Sequence, residues 1–536
     1  MSRARGVFAV AIAVAVAVAL SASSAVAQRA DSAKSPIRKR TAYEDLQMFS
    51  QALNLIRVNH PDSVDMHELL MAAVEGMVSA ADPHSYVIPA VRLDPAKQEA
   101  YDTGKLYPVP VRFSFVGGAP VVVSVDPGSH AAAQDILVGD ELVAVDSAPV
   151  TAESAMELEI ALAGRKNSTV TLTLERRRLD GSLAHLDRVV KRERVDESSA
   201  VPVAVMLDSI TGYVRITTFE NDKVADDLHD ALGNLEKHGM QRLVLDLRDN
   251  GGGRVDQAAR IAGEFLPKGD IVYTASGRKA DVTDTGRVSR SFWSHEKRYP
   301  IVLMVNGGTA SASELVAGAL QDHDRALIVG RPTFGKALIM RGFPMTDGSV
   351  MVLVVGHIAT PCGRVIQRQY HGITTREYYR LAREERDTVG RPSCRTDGGR
   401  VVYGGGGIYP DVVTPEPSGT PVWLARLREE DVVLKWIGGY VSANAAQLTS
   451  ADALAAHPAL PTTALTEFRA FAASQGTPVP DGAAADTVLQ RMLVGAAARV
   501  KFGESGYYRL SAVLDPAIAN AARMFDRAGA ILVRGN

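Results

Sequence analysis

Only two of the 536 residues are cysteines, Cys362 and Cys394. No C-x-x-C pair and no His/Cys cluster with metal-ligand spacing occurs, which excludes a zinc module or a dithiol redox site as the organising chemistry. Charge of one sign is also lacking: 59 Lys and Arg against 61 Asp and Glu leave a formal net charge of −2. No global basic field therefore points to nucleic acid. Beyond the first 27 residues no apolar run approaches the ~20 residues a spanning helix needs. What remains is ordinary globular composition, 46% hydrophobic and 22% charged. That is enough apolar material for real cores, in a chain long enough for several domains.

The one long apolar run lies at the start. Arg3 and Arg5 precede Val7–Leu20, and Ala25-Val26-Ala27 forms an A-x-A cleavage site. Residues 1–27 are expected to be a signal peptide, with Gln28 as the first mature residue and a polar linker over 28–42. Export to a periplasmic or extracellular space follows, with no transmembrane segment after cleavage. An oxidising compartment would allow Cys362 and Cys394 to pair; the alternative is two free thiols.

The densest chemistry lies between Asn306 and Lys336. The apolar run Ile301–Val305 predicts a buried strand, which Asn306-Gly307-Gly308 breaks. From Ser311 the period becomes helical, with Leu315, Val316, Ala319 and Leu320 on one face. A serine at a helix start sits among free N–H groups that favour an anion. Lys336 follows in the turn Thr333-Phe334-Gly335-Lys336. A serine needs a neighbour to take its proton, and a lysine can do so only if burial lowers its pKa from ~10.4. Two plainer readings compete. Ser311-Ala312-Ser313-Glu314 fits an S-x-x-E capping box, so Ser311 would only cap a helix. Gly330–Ala337 nearly matches the phosphate loop G-x-x-x-x-G-K-[ST], but Ala337 stands where the magnesium-binding hydroxyl belongs and no helix follows.

The block SASELVAGALQD, RALIVG and TFGK resembles the active-site region of the carboxy-terminal processing (tail-specific) proteases, Ser/Lys endopeptidases that carry a PDZ domain. The resemblance implies Ser311 as nucleophile and Lys336 as general base, with Asp322, Glu314 and Thr333 supporting the site. It extends along most of the chain and outweighs the capping-only reading. It also implies a crotonase/Clp-like α/β peptidase core with an inserted PDZ domain and helical regions at both ends. No metal or organic cofactor is implied. The partners would be protein or peptide substrates, and an adaptor or a homo-oligomer is compatible with such a chain. One position departs from the pattern: Met340 occupies the place of a glutamine whose amide helps orient the lysine. That departure keeps a rival open, a decayed, PDZ-bearing binding scaffold.

In chain order, Tyr43–Ala81 has helical periodicity and ends in Asp82-Pro83-His84-Ser85, giving an N-terminal helical region over 43–103. His84 is expected to be a loop histidine bonded to backbone, without a catalytic role. Residues 104–193 are similar to a PDZ domain, with strands at Pro120–Val125, Ile136–Val145 and Thr169–Arg176 and a helix at Ala152–Ala163. PDZ domains hold a peptide carboxylate on a backbone loop. Here that region is Tyr107-Pro108-Val109-Pro110, whose two prolines cannot donate. The peptidase domain is placed at 202–420. Within it Arg248-Asp249-Asn250-Gly251-Gly252-Gly253 resembles the family's oxyanion loop, so Gly252 or Gly253 is expected to pair with the N–H of Ala312. A polar, aromatic insertion, 368–403, follows Gln367. Residues 421–536 form an Ala-rich helical region.

Overall fold

The computed structural model describes residues 41–535 except 89–93, 117–118, 127–128, 138, 153–154, 178–181, 195–199, 290–295, 371–372, 374–376, 379, 382–386, 416–420 and 430–431. The signal peptide and most of the linker, residues 1–40, lie outside them. No described helix is long and apolar enough to cross a membrane.

The strand Ile301–Val305 is fully buried and lies inside a six-stranded sheet ordered 203–206, 211–215, 242–246, 301–305, 327–330, 412–413. Its neighbours Arg242–Asp246 and Leu327–Gly330 both run parallel to it. The crossover helices Val224–Lys237, Val255–Gly263 and Ala312–Asp322 bury their apolar faces with Leu243, Leu245, Leu303 and Val305. Buried on both faces, these strands are continuous apolar runs, as parallel sheets require. A second, five-stranded sheet contains the hairpin Leu338–Pro344 and Val350–Ala359, the strands Ile271–Gly277 and Asp284–Arg287, and the short strand Tyr86–Ile88. The fold is mixed α/β, as expected from the sequence.

The PDZ region has five main antiparallel strands. They include Val111–Val116 and Leu183–Lys191, which the alternation of turns in the sequence did not single out, around the helix Ala155–Leu162. Its core is Val122, Leu142, Leu158, Leu162, Leu172 and Val190. Near the N-terminus the single periodic stretch Tyr43–Ala81 is two helices, Ala42–Asn59 and Met66–Ala81, because His60-Pro61 interrupts it. Thr41 and Glu44 close a capping box on the first.

The C-terminal region divides by what it covers. Trp436, Phe468, Leu489 and Leu493 form one helical core. Ala512, Ile518, Phe525 and Ile531 instead lie against Tyr213, Val244, Val302 and Met304, on the other face of the six-stranded sheet. The last helices thus complete the core of the sheet that carries Ser311. Cys362 and Cys394 are disulfide-bonded, with Cα atoms 6.1 Å apart, and close the insertion.

Candidate active site

Ser311 is the residue at which the strand Ile301–Val305 becomes the helix Ala312–Asp322. Its backbone is left-handed, φ 56° and ψ −121°, a conformation costly for a residue with a Cβ. Such a sharp, strained turn lifts a side chain away from the backbone of the helix it precedes. The N–H of Glu314 bonds to the Ser311 carbonyl at 2.8 Å, and Ser311 and Glu314 also form the capping box that their spacing suggests.

Glu314 is completely buried and ties the site together. One carboxylate oxygen accepts from the N–H of Ser311 at 2.9 Å and from the N–H of Lys336 at 2.8 Å. The other accepts from the N–H of Gly335 at 2.8 Å and from the Thr333 hydroxyl. One acceptor-only group thereby joins the turn before the helix to the turn that carries Lys336. Burial pushes its pKa up to about 7, while the four donors pull it back. The Thr333 hydroxyl also receives the Ile408 N–H at 2.6 Å, so it is committed to Glu314 and to backbone.

The Lys336 side chain is half-buried, and burial lowers its pKa from the ordinary lysine value, with Glu314 and Glu220 pulling the other way. Its turn is held from the insertion side. The Ala337 N–H donates to Gln367 Oε1 at 2.9 Å, and Tyr378 donates to the Gly335 carbonyl at 3.2 Å. Met340 lies at a register shift in the strand Leu338–Pro344, opposite Val354. The Val354 N–H donates to the Ser85 hydroxyl at 3.0 Å, which brings the Asp82–Ser85 turn to this hairpin. His84 is buried, edge-on to Tyr378 at 4.7 Å, and its Nε2 has no hydrogen-bond partner among the described residues. Burial first and the Lys336 charge second hold its pKa down near 4. The sequence suggests a loop histidine bonded to backbone; the ring is instead enclosed beside the lysine. A histidine in a turn next to a helix end is the only local hint of this.

The Gly-rich loop lies against the serine turn. A Cβ on Gly252, whose φ is 97°, would stand 2.7 Å from the Ala310 carbonyl oxygen, 2.8 Å from the Ala312 nitrogen and 2.9 Å from the Ser311 Cβ. Only glycine permits this approach. The Gly252 N–H, however, is held by Asn250 Oδ1 at 2.9 Å, while Gly253 is seated on Phe219 and Glu220. Asp322 lies at the far end of the helix from Ser311. It forms a buried pair with Arg364 at 2.6 Å and accepts the Cys362 N–H at 3.1 Å, fastening the segment that leads into the insertion.

In the PDZ region the Tyr107 N–H and carbonyl are both paired with Gly164. Two prolines and an occupied N–H thus leave Val109 as the main remaining donor of the Tyr107–Pro110 segment.

Residues 210–377 match Peptidase family S41, and residues 108–187 match the PDZ domain. A carboxy-terminal-processing protease of Bartonella bacilliformis is 29% identical over 333 residues, 61% of this chain and 74% of that protein. The chloroplastic carboxyl-terminal-processing peptidase 2 of Arabidopsis thaliana is 35% identical over 45% of this chain and 46% of its own length. A carboxyl-terminal-processing protease of Picosynechococcus is 36% identical over 44% and 55%. The chain thus spans about half the length of these last two. Among solved structures, the photosystem II D1 C-terminal processing protease is 24% identical with a TM-score of 0.34, covering 70% of this chain and 94% of that one. By these matches the chain carries a peptidase domain of family S41, a serine-type peptidase, together with a PDZ domain, and it is similar to carboxy-terminal-processing proteases.

Proposed function

We propose that the protein is an exported endopeptidase that cleaves protein or peptide substrates with a Ser311/Lys336 dyad. The observation that carries this reading is the Glu314 carboxylate, which holds the backbone N–H groups of both residues at 2.9 and 2.8 Å. The strained φ of Ser311 and the lowered pKa of Lys336 support it. In this mechanism the Lys336 amine takes the Ser311 proton as Oγ adds to the peptide carbonyl carbon. The tetrahedral oxyanion forms beside the Ala312 N–H and the Gly252–Gly253 backbone. The lysine then gives its proton to the leaving amine, and water hydrolyses the acyl-enzyme by the same steps in reverse order. Because Asn250 occupies the Gly252 N–H, that donor joins only after a local turn of the loop, or Gly253 serves in its place. The PDZ domain serves more as a gate than as a carboxylate trap, because two prolines and the Tyr107–Gly164 pairing leave its loop short of donors.

Fluorophosphonate labelling tests the reading. Wild type should label at Ser311, and Ser311→Ala should neither label nor cleave. Lys336→Ala should lose cleavage, and Lys336→Arg should not restore it, because a guanidinium stays protonated. Substantial cleavage by either lysine variant would remove the dyad. An unreactive wild type would leave the scaffold reading.

A further inference from the structure

We infer that Asp515, at the start of a C-terminal helix, is a positioning residue for the Asp249–Gly253 loop, which it braces through Arg248. The inference rests on the dyad reading above, in which that loop borders the oxyanion.

Asp515 is the N-cap of the helix Pro516–Ala521, and its Oδ1 accepts the Ala517 N–H at 2.8 Å. Its other oxygen lies 2.7 Å from Arg248 Nη1. Arg248 turns its remaining nitrogens to Asp246, with Nη2 at 2.7 Å and Nε at 3.0 Å. Asp246 is fully buried at the end of its strand and also receives Tyr213 and Arg215, each at 2.9 Å. Arg215 then holds the Arg248 carbonyl at 2.7 Å, while its guanidinium stacks on Tyr508 of the preceding C-terminal helix at 4.6 Å. The last residue before the loop is therefore fixed at its side chain and its carbonyl, and the C-terminal region contributes to both.

The loop hangs from that anchor and from Asn306, whose Oδ1 accepts the Asp249 N–H at 2.9 Å and whose Nδ2 donates to Asp249 Oδ1 at 2.8 Å. Asp249 is left-handed, φ 59°, so a small rotation at Arg248 is passed directly to the next residues. The Asn250 carbonyl accepts the Ala310 N–H at 3.0 Å, which ties the loop to the residue before Ser311. Two cations share Asp246; Asp515 supplies a further carboxylate to Arg248, while Asp249 Oδ2 lies 3.6 Å from Arg215. Without it, Arg248 has no counter-charge on its Nη1 side and a partly buried guanidinium must seek water. The C-terminal helices also cover the underside of the same sheet through Ile518 and Phe525. They are placed to act on the loop without touching a substrate.

Asp515→Asn is the informative change, because asparagine caps a helix as well as aspartate does while the charge to Arg248 is lost. In the full-length variant, amide exchange across residues 249–253 should rise about tenfold, with exchange in the helix 516–521 little changed. On one unstructured peptide kcat should fall about tenfold with KM unchanged, and fluorophosphonate labelling of Ser311 should slow in step. Asp515→Ala should match this kinetic loss and lower Tm further than Asp515→Asn, through the missing cap. Unchanged loop exchange in Asp515→Asn overturns the inference. So does faster exchange with normal kcat, or a change confined to KM. If wild type does not label at all, the dyad reading falls and loop exchange alone decides whether the brace exists.

Discussion

At the scale of single residues, the site depends on a carboxylate that touches no substrate. Glu314 offers two oxygens to four donors, and only an ionised carboxylate can accept from all of them. In Glu314→Gln one oxygen becomes an NH₂ that faces two donors. The expected cost is about 2–4 kcal/mol of stability, with kcat lower by roughly a hundredfold as the two turns separate. Thermal unfolding and peptide cleavage check this; a variant of normal kcat would show that Glu314 only stabilises. The same logic sets an acid limb. With a pKa of about 7, Glu314 gains a proton below neutrality and must release a donor, so kcat/KM should climb as pH rises through 7. It should continue upward as Lys336 loses its proton. Met340 raises a separate question, because methionine offers the amine only a weak acceptor. Met340→Gln should raise kcat by about tenfold, ~1.4 kcal/mol of barrier. A slower variant would mean that packing, not a hydrogen bond, holds the lysine.

At the scale of elements, the strand Ile301–Val305, the helix after Ser311 and the Thr333–Lys336 turn were legible because each is dictated locally, by an apolar run, a helical period or a glycine. Ser311, Ala312 and Glu314 lie where the sequence placed them in that scheme. What stayed hidden is long-range. Asp246 and Arg215 are charges inside apolar strand patterns, a visible signal of a buried pair, but Tyr508 and Asp515, which complete their network, lie far along the chain in the C-terminal helices. The contact between the PDZ domain and those helices was equally hidden. Gly139, φ 95°, sits so close to the helix Val432–Ala443 that a Cβ would stand 2.5 Å from the Leu434 carbonyl oxygen. Gly139→Ala should therefore push the PDZ domain off this helix and add backbone strain of about 1–3 kcal/mol. Limited proteolysis near residues 104 and 193 should accelerate. Unchanged cleavage there would mean the contact does not hold the domain. Reducing the Cys362–Cys394 bond should act on another element. It frees the far end of the insertion that carries Tyr378, and the ~3 kcal/mol typical of such a loop should appear as a lower Tm after reduction.

At the scale of the whole molecule, two buried groups beside the same lysine turn titrate in opposite senses over one pH window. His84 is held near 4, below its ordinary 6.5. The unfolded chain therefore takes up a proton that the folded one refuses, and the stability from His84, full above pH 6.5, is lost as pH falls toward 4. Glu314 is raised from 4.5 to about 7. Its contribution is full below pH 4.5 and lost as pH rises through 7. At ~1.4 kcal/mol for each tenfold change in proton affinity, each is of order 3 kcal/mol across the same interval, with opposite sign. The wild-type stability curve between pH 4.5 and 7 should thus be flatter than either group alone would make it. Removing one group exposes the other. His84→Phe keeps a ring against Tyr378 but abolishes the titration, so its Tm relative to wild type should rise steadily as the solution is acidified from pH 7 to 4.5. Glu314→Gln should fall relative to wild type over the same range. Calorimetry of the three proteins across this pH range makes the comparison. Curves that remain parallel would mean that neither ionisation is coupled to folding. The electrostatic basis of both the acid limb of activity and the neutral histidine beside Lys336 would then be lost.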